Sequence, residues 1–311
     1  MGNQSDFSNI KNFVEFLTEI SADPKIINIA EGWNNRIYQI DDEFILKTPL
    51  NKEAEKQLNL EVRISGFLSG RISVPVPSFI HYGKMENGTF AAIYRKLNGV
   101  NITNMIYGRN EERLAPSELD ICERTDFYRR IAGVAGEIGL IDPFMIPGIP
   151  IRGGRELLKH YMDLLYTARD KLFGLLDGNT GKAIEKEFAD ILKPELFSFV
   201  PQFIHGDLGG WNVLYDIKKR DLSGLIDWGN CSFSDPALDY SELVYDYGQE
   251  FSRIFLKNMN NTVLKINSRF MRRSEFYIRI SGIIDVLYGI ENDSTSYVRK
   301  GLEDIEKKFG T

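Results

Sequence analysis

Cysteine and histidine are nearly absent from this chain of 311 residues, with two of the first and three of the second. Cys122 and Cys231 stand far apart, without partners at metal-ligand spacing, which argues against a disulfide framework and a thiolate metal centre. We read both as buried thiols in a reducing compartment. Long apolar runs are missing as well, none approaching the roughly 18 residues that a membrane span requires. The opening MGNQSDFSNIKNF has no basic region ahead of an apolar stretch, so no secretory leader is expected. These absences give the expectation of a soluble, cytoplasmic protein with no membrane partner. Cationic residues are the minority charge, 38 Lys and Arg against 44 Asp and Glu, for a net −6. That balance argues against a nucleic-acid partner and is compatible with a cationic ligand. No internal repeat is found, and the length suffices to bury a full core without crosslinks.

What is present changes character near residue 100. Before it, INIAEGWNNRIYQI, EFILKTP, PSFIHYG and TFAAIYRKL are short apolar alternations bounded by Gly, Pro, Asn or Asp, which predict four or five antiparallel strands. One helical pattern interrupts them, from about residue 52 to 68, and another precedes them, from about 7 to 20. After LNGV at 97–100 the patterns lengthen into helices at about 124–139, 154–176, 180–192 and 236–247, with more to Lys308. Short strands are expected around 202–205, 213–216 and 222–226. The fold class is therefore α+β in two lobes. Residues 1–97 form an antiparallel-sheet, nucleotide-binding N-terminal lobe with one inner helix. Residues 98–311 form a mainly helical, catalytic C-terminal lobe with a small β insertion. Two lobes joined at one hinge are expected to make a cleft.

The β insertion contains FIHGDLGGWNVLYD, from Phe203 to Asp216. Written as His205-x-Asp207-x-x-x-x-Asn212, it has the spacing of the catalytic loop of kinase-type phosphoryl-transfer enzymes. The residue types suit that chemistry. A carboxylate at Asp207 can accept or orient the proton of an attacking hydroxyl. An amide at Asn212 can turn back and offer its oxygen to Mg2+, across a turn that Gly209 and Gly210 permit. Taken alone, the pattern reads more readily as a β-turn whose His and Asp cap backbone groups. Fifteen residues after Asn212, the apolar strand of GLIDWGN ends in Asp227, where a kinase carries its Asp-Phe-Gly metal ligand. Magnesium takes a few carboxylate or amide oxygens together with substrate phosphates, and Asn212 with Asp227 supplies such a set. The N-terminal lobe holds the rest: Lys47 in the third strand, within EFILKTP, and Glu61 in the following helix, within LNLEVRISGF. A lysine there reaches nucleotide phosphates, and a helix carboxylate pairs with it.

Lys47, Glu61, HGDLGGWN at 205–212, IDWG at 226–229 and SDPALDYSEL at 234–243 together resemble the aminoglycoside phosphotransferase and choline kinase group, relatives of the protein kinases. The likeness spans roughly residues 28 to 247. It implies Asp207 as the catalytic base, Asn212 and Asp227 as Mg2+ ligands, and Lys47 as the phosphate-binding lysine oriented by Glu61. It further implies that Gly32, Asn34 and Asn35 of AEGWNNRI cover the phosphates of ATP or GTP, and that Arg95 to Leu97 form the hinge whose backbone meets the purine. Two departures stand out. The phosphate loop has a single glycine, Gly32, and the helix that relatives commonly end in Leu-His has Gly139 at the corresponding place. Support given elsewhere by that histidine must come from another group or be absent.

Asp235 before Pro236 is a strong helix start. Downstream, Asp239, Glu242 and Asp246 fall at i, i+3 and i+7 and share a helix face. In the family such acidic groups accept polyamine substrates. The alternative is that Asp239 braces the catalytic loop and the other two face solvent. The resulting expectation is a Mg2+-dependent kinase that transfers the γ-phosphoryl group of ATP or GTP to a hydroxyl of an aminoglycoside-like acceptor. Choline, methylthioribose, homoserine or a macrolide are alternative acceptors. A catalytically silent nucleotide-binding module and a metal-dependent phosphohydrolase are the rivals. The presence of Lys47, Asp207, Asn212 and Asp227 together opposes the first, and a phosphohydrolase has no need of Lys47 and Glu61.

Overall fold

A computed structural model describes residues 4–15, 17, 20, 21, 23–103, 113–259 and 265–310. In chain order its elements are α1 (Gln4–Val14), β1 (Ile26–Glu31), β2 (Asn35–Ile40), β3 (Phe44–Pro49), α2 (Lys52–Leu68), β4 (Phe79–Lys84), β5 (Phe90–Arg95), β6 (Val100–Ile102), β7 (Arg113–Leu114) and α3 (Ile121–Gly139). There follow α4 (Gly154–Lys171), α5 (Gly178–Ile191), β8 (Gln202–Ile204), β9 (Val213–Asp216), β10 (Asp221–Leu225), β11 (Ser232–Ser234), α6 (Ala237–Met259), α7 (Ser268–Glu291) and α8 (Thr295–Phe309). Residues 1–134 with 209–231 form one compact unit, and residues 135–208 with 232–311 form another. Among the described residues no helix is long and apolar enough to cross a membrane.

In the first unit, β1 to β5 make an antiparallel sheet in the order β1-β2-β3-β5-β4. Strand alternation sorts its side chains. Tyr38, Ile40, Phe44, Leu46, Ala91 and Ile93 turn to one face, where Ile10, Phe13 and Val14 of α1 cover them. On the other face Leu58 of α2 packs with Phe90 and Ala92, flanked by Val62 and Phe79. The helix starts where the Asn51 side chain accepts the N–H groups of Glu53 and Ala54, at 3.0 and 2.9 Å. A second sheet, β10-β9-β6-β7, belongs to the same unit. The chain enters it through Gly99, with φ 106°, where a Cβ would stand 2.7 Å from the Tyr215 carbonyl oxygen, so only glycine fits.

The second unit carries the short β8–β11 pair and the helices α4 to α8. Tyr161, Phe188 and Phe276 interlock edge to face in its core. The start of α6 is anchored by a buried network: Asp235 accepts from Arg273 Nε at 2.5 Å, Arg273 Nη2 at 2.9 Å and the Tyr277 hydroxyl at 2.8 Å. The same carboxylate accepts the Ala237 N–H at 3.2 Å.

The structure has the expected α+β kinase-like architecture and departs from the sequence reading in particulars. The opening helix closes at Val14 instead of residue 20, where i to i+3 turns take over: Leu17 N–H donates to Val14 O and Ile20 N–H to Leu17 O. Residues 16, 18 and 19 of that expected helix lie outside the described residues. The helix expected to stop at 247 does break at Gly248, with φ 75°, but resumes to Met259 because Phe251, Phe255 and Met259 bury the next apolar stripe. The helix expected over 154–176 ends at Lys171 and is followed by a separate short turn at Phe173–Leu175. Cys231 is buried as expected, whereas Cys122 is exposed on the first turn of α3 beside solvent-facing Ile121.

Candidate active site

In the first unit the site grows from β3, whose residues 44 to 48 are all buried. Cross-strand register sets Ile37, Lys47 and Ala92 side by side on one face. Lys47 therefore emerges, 4 % exposed, among apolar neighbours with nowhere to hydrate. Its Nζ is instead held by both carboxylate oxygens of Glu61, at 2.7 and 2.8 Å, and by Asp227 Oδ1 at 3.2 Å. Burial pushes the ammonium pKa down, but the charges of Asp227 and Glu61 outweigh it and hold Lys47 well above the ordinary lysine range. Burial acts on Glu61 in the opposite sense, towards protonation. With Lys47 donating to both its oxygens and the Asp227 N–H donating as well, Glu61 is assigned as the carboxylate.

Asp227 follows β10 in the left-handed conformation, φ 68° and ψ 59°, and its side chain remains 46 % exposed. Asn212 closes a short turn, its N–H donating to Gly209 O at 3.0 Å. The Asn212 carbonyl in turn accepts the Ile226 N–H at 3.0 Å, which brings residue 212 beside the strand that delivers Asp227. Gly210 is required here: a Cβ would lie 2.8 Å from Thr103 Cα and 2.9 Å from the Ile102 carbonyl carbon. The donors present are one carboxylate and one amide, and among the described residues no group of three or more His, Cys, Asp or Glu is placed to hold a metal. An oxygen-only, incomplete set suits Mg2+ completed by phosphates and water, and does not suit a closed zinc centre.

The Gly32–Asn35 turn is closed by the Gly32 N–H donating to Asn35 O at 2.9 Å, while Leu50 N–H donates to Asn34 O at 2.8 Å. Arg95, the last residue of β5, pairs with Glu43 at 3.0 Å and lies over the Phe44 ring. Leu97 packs on β10, its Cδ1 2.6 Å from where a Gly224 Cβ would stand. Tyr94, which pattern reasoning did not single out, is buried next to this site, and burial first, then the charges of Glu61 and Asp227, push its hydroxyl pKa up.

In the second unit, β8 runs directly into His205, Gly206 and Asp207. Asp239 grips this turn with both oxygens, accepting the His205 N–H and the Gly206 N–H at 2.8 Å each. Gly206 has φ 81°, so the middle residue of His-Gly-Asp is glycine for conformational reasons. Burial drives the Asp239 carboxyl up to about 6 in spite of those two donors. Asp207 is half-buried. Of the three acidic residues expected on one face of α6, Asp239 and Asp246 are buried, at 6 % and 5 % exposure, and Glu242 is open to solvent. Glu242 is held above the ordinary carboxyl range by the protein packed around it and by the charges of Asp207, Asp246 and Asp239. Gly139, where a relative would place histidine, lies under the Gln202 side chain, whose Oε1 is 3.1 Å from a Cβ there. A cavity of about 30 Å3 opens beside it, lined by Gly136, Gln202, Phe203, Asp239 and Tyr240 among others.

A buried strand lysine paired to a helix glutamate and a strand-end aspartate in the first unit, and a braced His-Gly-Asp loop in the second, are the features expected of a kinase-like phosphotransferase. The chain belongs to the phosphotransferase enzyme family, whose model matches residues 25–272. It is 36 % identical over 85 residues to viomycin phosphotransferase of Streptomyces vinaceus, a match that covers 26 % of this chain and 29 % of that protein. Among solved structures, the GDP and kanamycin complex of APH(2")-IIia superposes with a TM-score of 0.82 at 21 % identity, over 96 % of this chain and 97 % of that one. Macrolide 2'-phosphotransferase type I superposes with a TM-score of 0.75 at 16 % identity, over 98 % of each chain.

Proposed function

We propose that this protein is a small-molecule kinase that transfers the γ-phosphoryl group of ATP or GTP to a hydroxyl of an aminoglycoside-like, cationic acceptor. The observation that carries the reading is the Lys47 ammonium held at 2.7 to 3.2 Å between Glu61, 14 positions on, and Asp227, 180 positions on. A buried ion pair is weak support for stability, since well-packed apolar residues do as well. Its retention with an exposed aspartate on the third side suits a site for phosphates and a cation.

In this reading Lys47 neutralises a phosphate oxygen, and Glu61 holds the lysine in place. Gly32, Asn34 and Asn35 cover the phosphates, and Arg95 to Leu97 meet the purine. Asp227 and Asn212 would hold Mg2+, which when bound supplies positive charge against that developing on the transferred phosphoryl group. Asp207 accepts or orients the proton of the acceptor hydroxyl and points it for in-line attack. Residues 1–97 serve as the nucleotide lobe and residues 98–311 as the catalytic and acceptor lobe. Of the acidic residues on α6, solvent-facing Glu242 is the one suited to a cationic acceptor, Asp246 lends its charge from a buried position, and Asp239 acts by bracing the loop.

A structural relative that binds kanamycin and a local match to a viomycin phosphotransferase both support a polycationic acceptor. A relative named for macrolides keeps larger, less charged alcohols within the test. The test is a phosphorylation screen of aminoglycosides, viomycin, macrolides and small alcohols, each with ATP and with GTP. Transfer to a cationic member supports the reading. Transfer confined to neutral alcohols refutes the acceptor class, and absence of both transfer and nucleotide binding refutes the kinase assignment.

A further inference from the structure

The turn that carries Asp227 is tied to α2 at two heights. At one, the Asp227 N–H donates to the Glu61 carboxylate. One helical turn earlier, Gln57 Nε2 donates to Asn230 Oδ1 at 3.0 Å. Between the two ties Gly229 lies flat on the helix, where a Cβ would meet Gln57 Cβ at 3.3 Å and Gln57 O at 3.4 Å. Asp227 itself is in a left-handed conformation that non-glycine residues avoid, and such a residue persists only where its surroundings determine it. One further feature separates Gln57 from an ordinary surface glutamine. Its Oε1 is buried and, among the described residues, has no hydrogen-bond partner. An unmet buried acceptor opposes folding, so stability does not explain the choice of glutamine.

We propose that Gln57 and Asn230 are positioning residues, an amide clamp that locks the Asp227 turn onto α2 and so sets how strongly the site takes Mg2+ together with the nucleotide. The inference rests on the functional reading above. The clamp acts on the geometry of Asp227 and touches neither nucleotide nor acceptor.

The test titrates Mg2+ against binding of a fluorescent nucleotide to the full chain, alongside thermal unfolding, for wild type, Gln57→Met, Asn230→Ala and the double variant. Gln57→Met keeps the length of the side chain and removes both the clamp and the unmet acceptor. Its melting temperature should equal or exceed that of wild type. The Mg2+ concentration for half-maximal binding should rise about two- to tenfold, the range expected for one lost hydrogen bond. Binding without Mg2+ should not change, and the double variant should be no worse than the worse single one. Asn230→Ala, at an exposed position, reads the same clamp from the other side. A wild-type Mg2+ response in both single variants overturns the clamp and leaves the metal assignment standing. A wild-type protein whose nucleotide binding ignores Mg2+, and is not altered by Asp227→Ala, overturns both.

Discussion

Replacing Gly210 by alanine tests whether the 209–212 turn is positioned by contact or merely by sequence. The added Cβ would press hardest on the Ile102 carbonyl oxygen, and would stand 2.8 Å from Thr103 Cα and 2.9 Å from the Ile102 carbonyl carbon. Ordinary carbon contacts lie at about 3.5–4.0 Å, so the backbones must part by at least roughly 1 Å. No side chain can swing aside, because all three obstructing atoms are main chain at the end of β6. The next residue is also tied down, with Asn101 Nδ2 donating to Trp211 O at 2.6 Å. Overpacking of this kind costs about 1–3 kcal/mol. The displacement passes to Asn212 two residues on, and a misplacement of ~1 Å can lower turnover about 10²-fold. Thermal unfolding and Mg2+-dependent nucleotide binding should therefore both weaken, and turnover should fall on any acceptor found in the screen. Gly66→Ala is the control. That exposed helix glycine has nothing within 4 Å of a Cβ, and the change should gain up to ~1 kcal/mol from helix propensity. Wild-type stability and turnover in Gly210→Ala would refute the account of the turn.

Asp207→Asn should lower turnover about 10²- to 10⁴-fold while nucleotide affinity, measured by calorimetry, stays close to wild type; retention of more than about a tenth of the activity would contradict the assigned role. Glu61→Ala should destabilise the fold by about 3–5 kcal/mol in urea unfolding, because it strands the buried Lys47 ammonium with one half-exposed partner. A loss under ~1 kcal/mol would mean that Lys47 is less enclosed than its 4 % exposure indicates. Asp239, raised from 3.8 to about 6 in the fold, binds its proton more tightly folded than unfolded. It therefore favours the fold fully below pH ~4, and that contribution fades as pH rises through about 6, by roughly 3 kcal/mol in all. The stability of wild type minus that of Asp239→Asn should fall across this window, and a flat difference would rule the shift out.

Much of this was legible in sequence, for a physical reason that also marks the limit. The bounds of α2 were readable because Leu58, Ile64 and Leu68, among others, recur at helical spacing, and all three are buried. Strands β1 and β4 were readable because their faces differ in solvation, and β3 and β5, buried on both faces, as short apolar runs bounded by turn residues. Strands β6, β7 and β11 were not, since two or three residues show no period, whereas β8, equally short, was found as the apolar lead into His205. Gly248 read as a helix end, and its left-handed φ is one; only the buried stripe beyond it shows that the chain becomes helical again. Lys47, Glu61 and Asp227 could be chosen by type and spacing, whereas their meeting depends on the register of β3 with β2 and β5. The Gln57–Asn230 clamp was out of reach, because residues 173 positions apart in ordinary surface chemistry carry no local signal.

The same distinction bears on Gly139. A missing histidine suggests a weakened catalytic loop, but the geometry locates the support elsewhere. Asp239 accepts hydrogen bonds from two successive N–H groups and Gly206 makes the required turn without strain. Asp239 is held in turn by the first turns of α6, whose start is fastened by the Asp235–Arg273 pair and the Tyr277 hydroxyl, all buried. Loop position thus follows from a chain of contacts running from α7 through Asp235 and α6 to His205 and Gly206. No group reaching in from the end of α3 is needed for it, and the space that such a group would take is shared by Gln202 and a cavity of about 30 Å3.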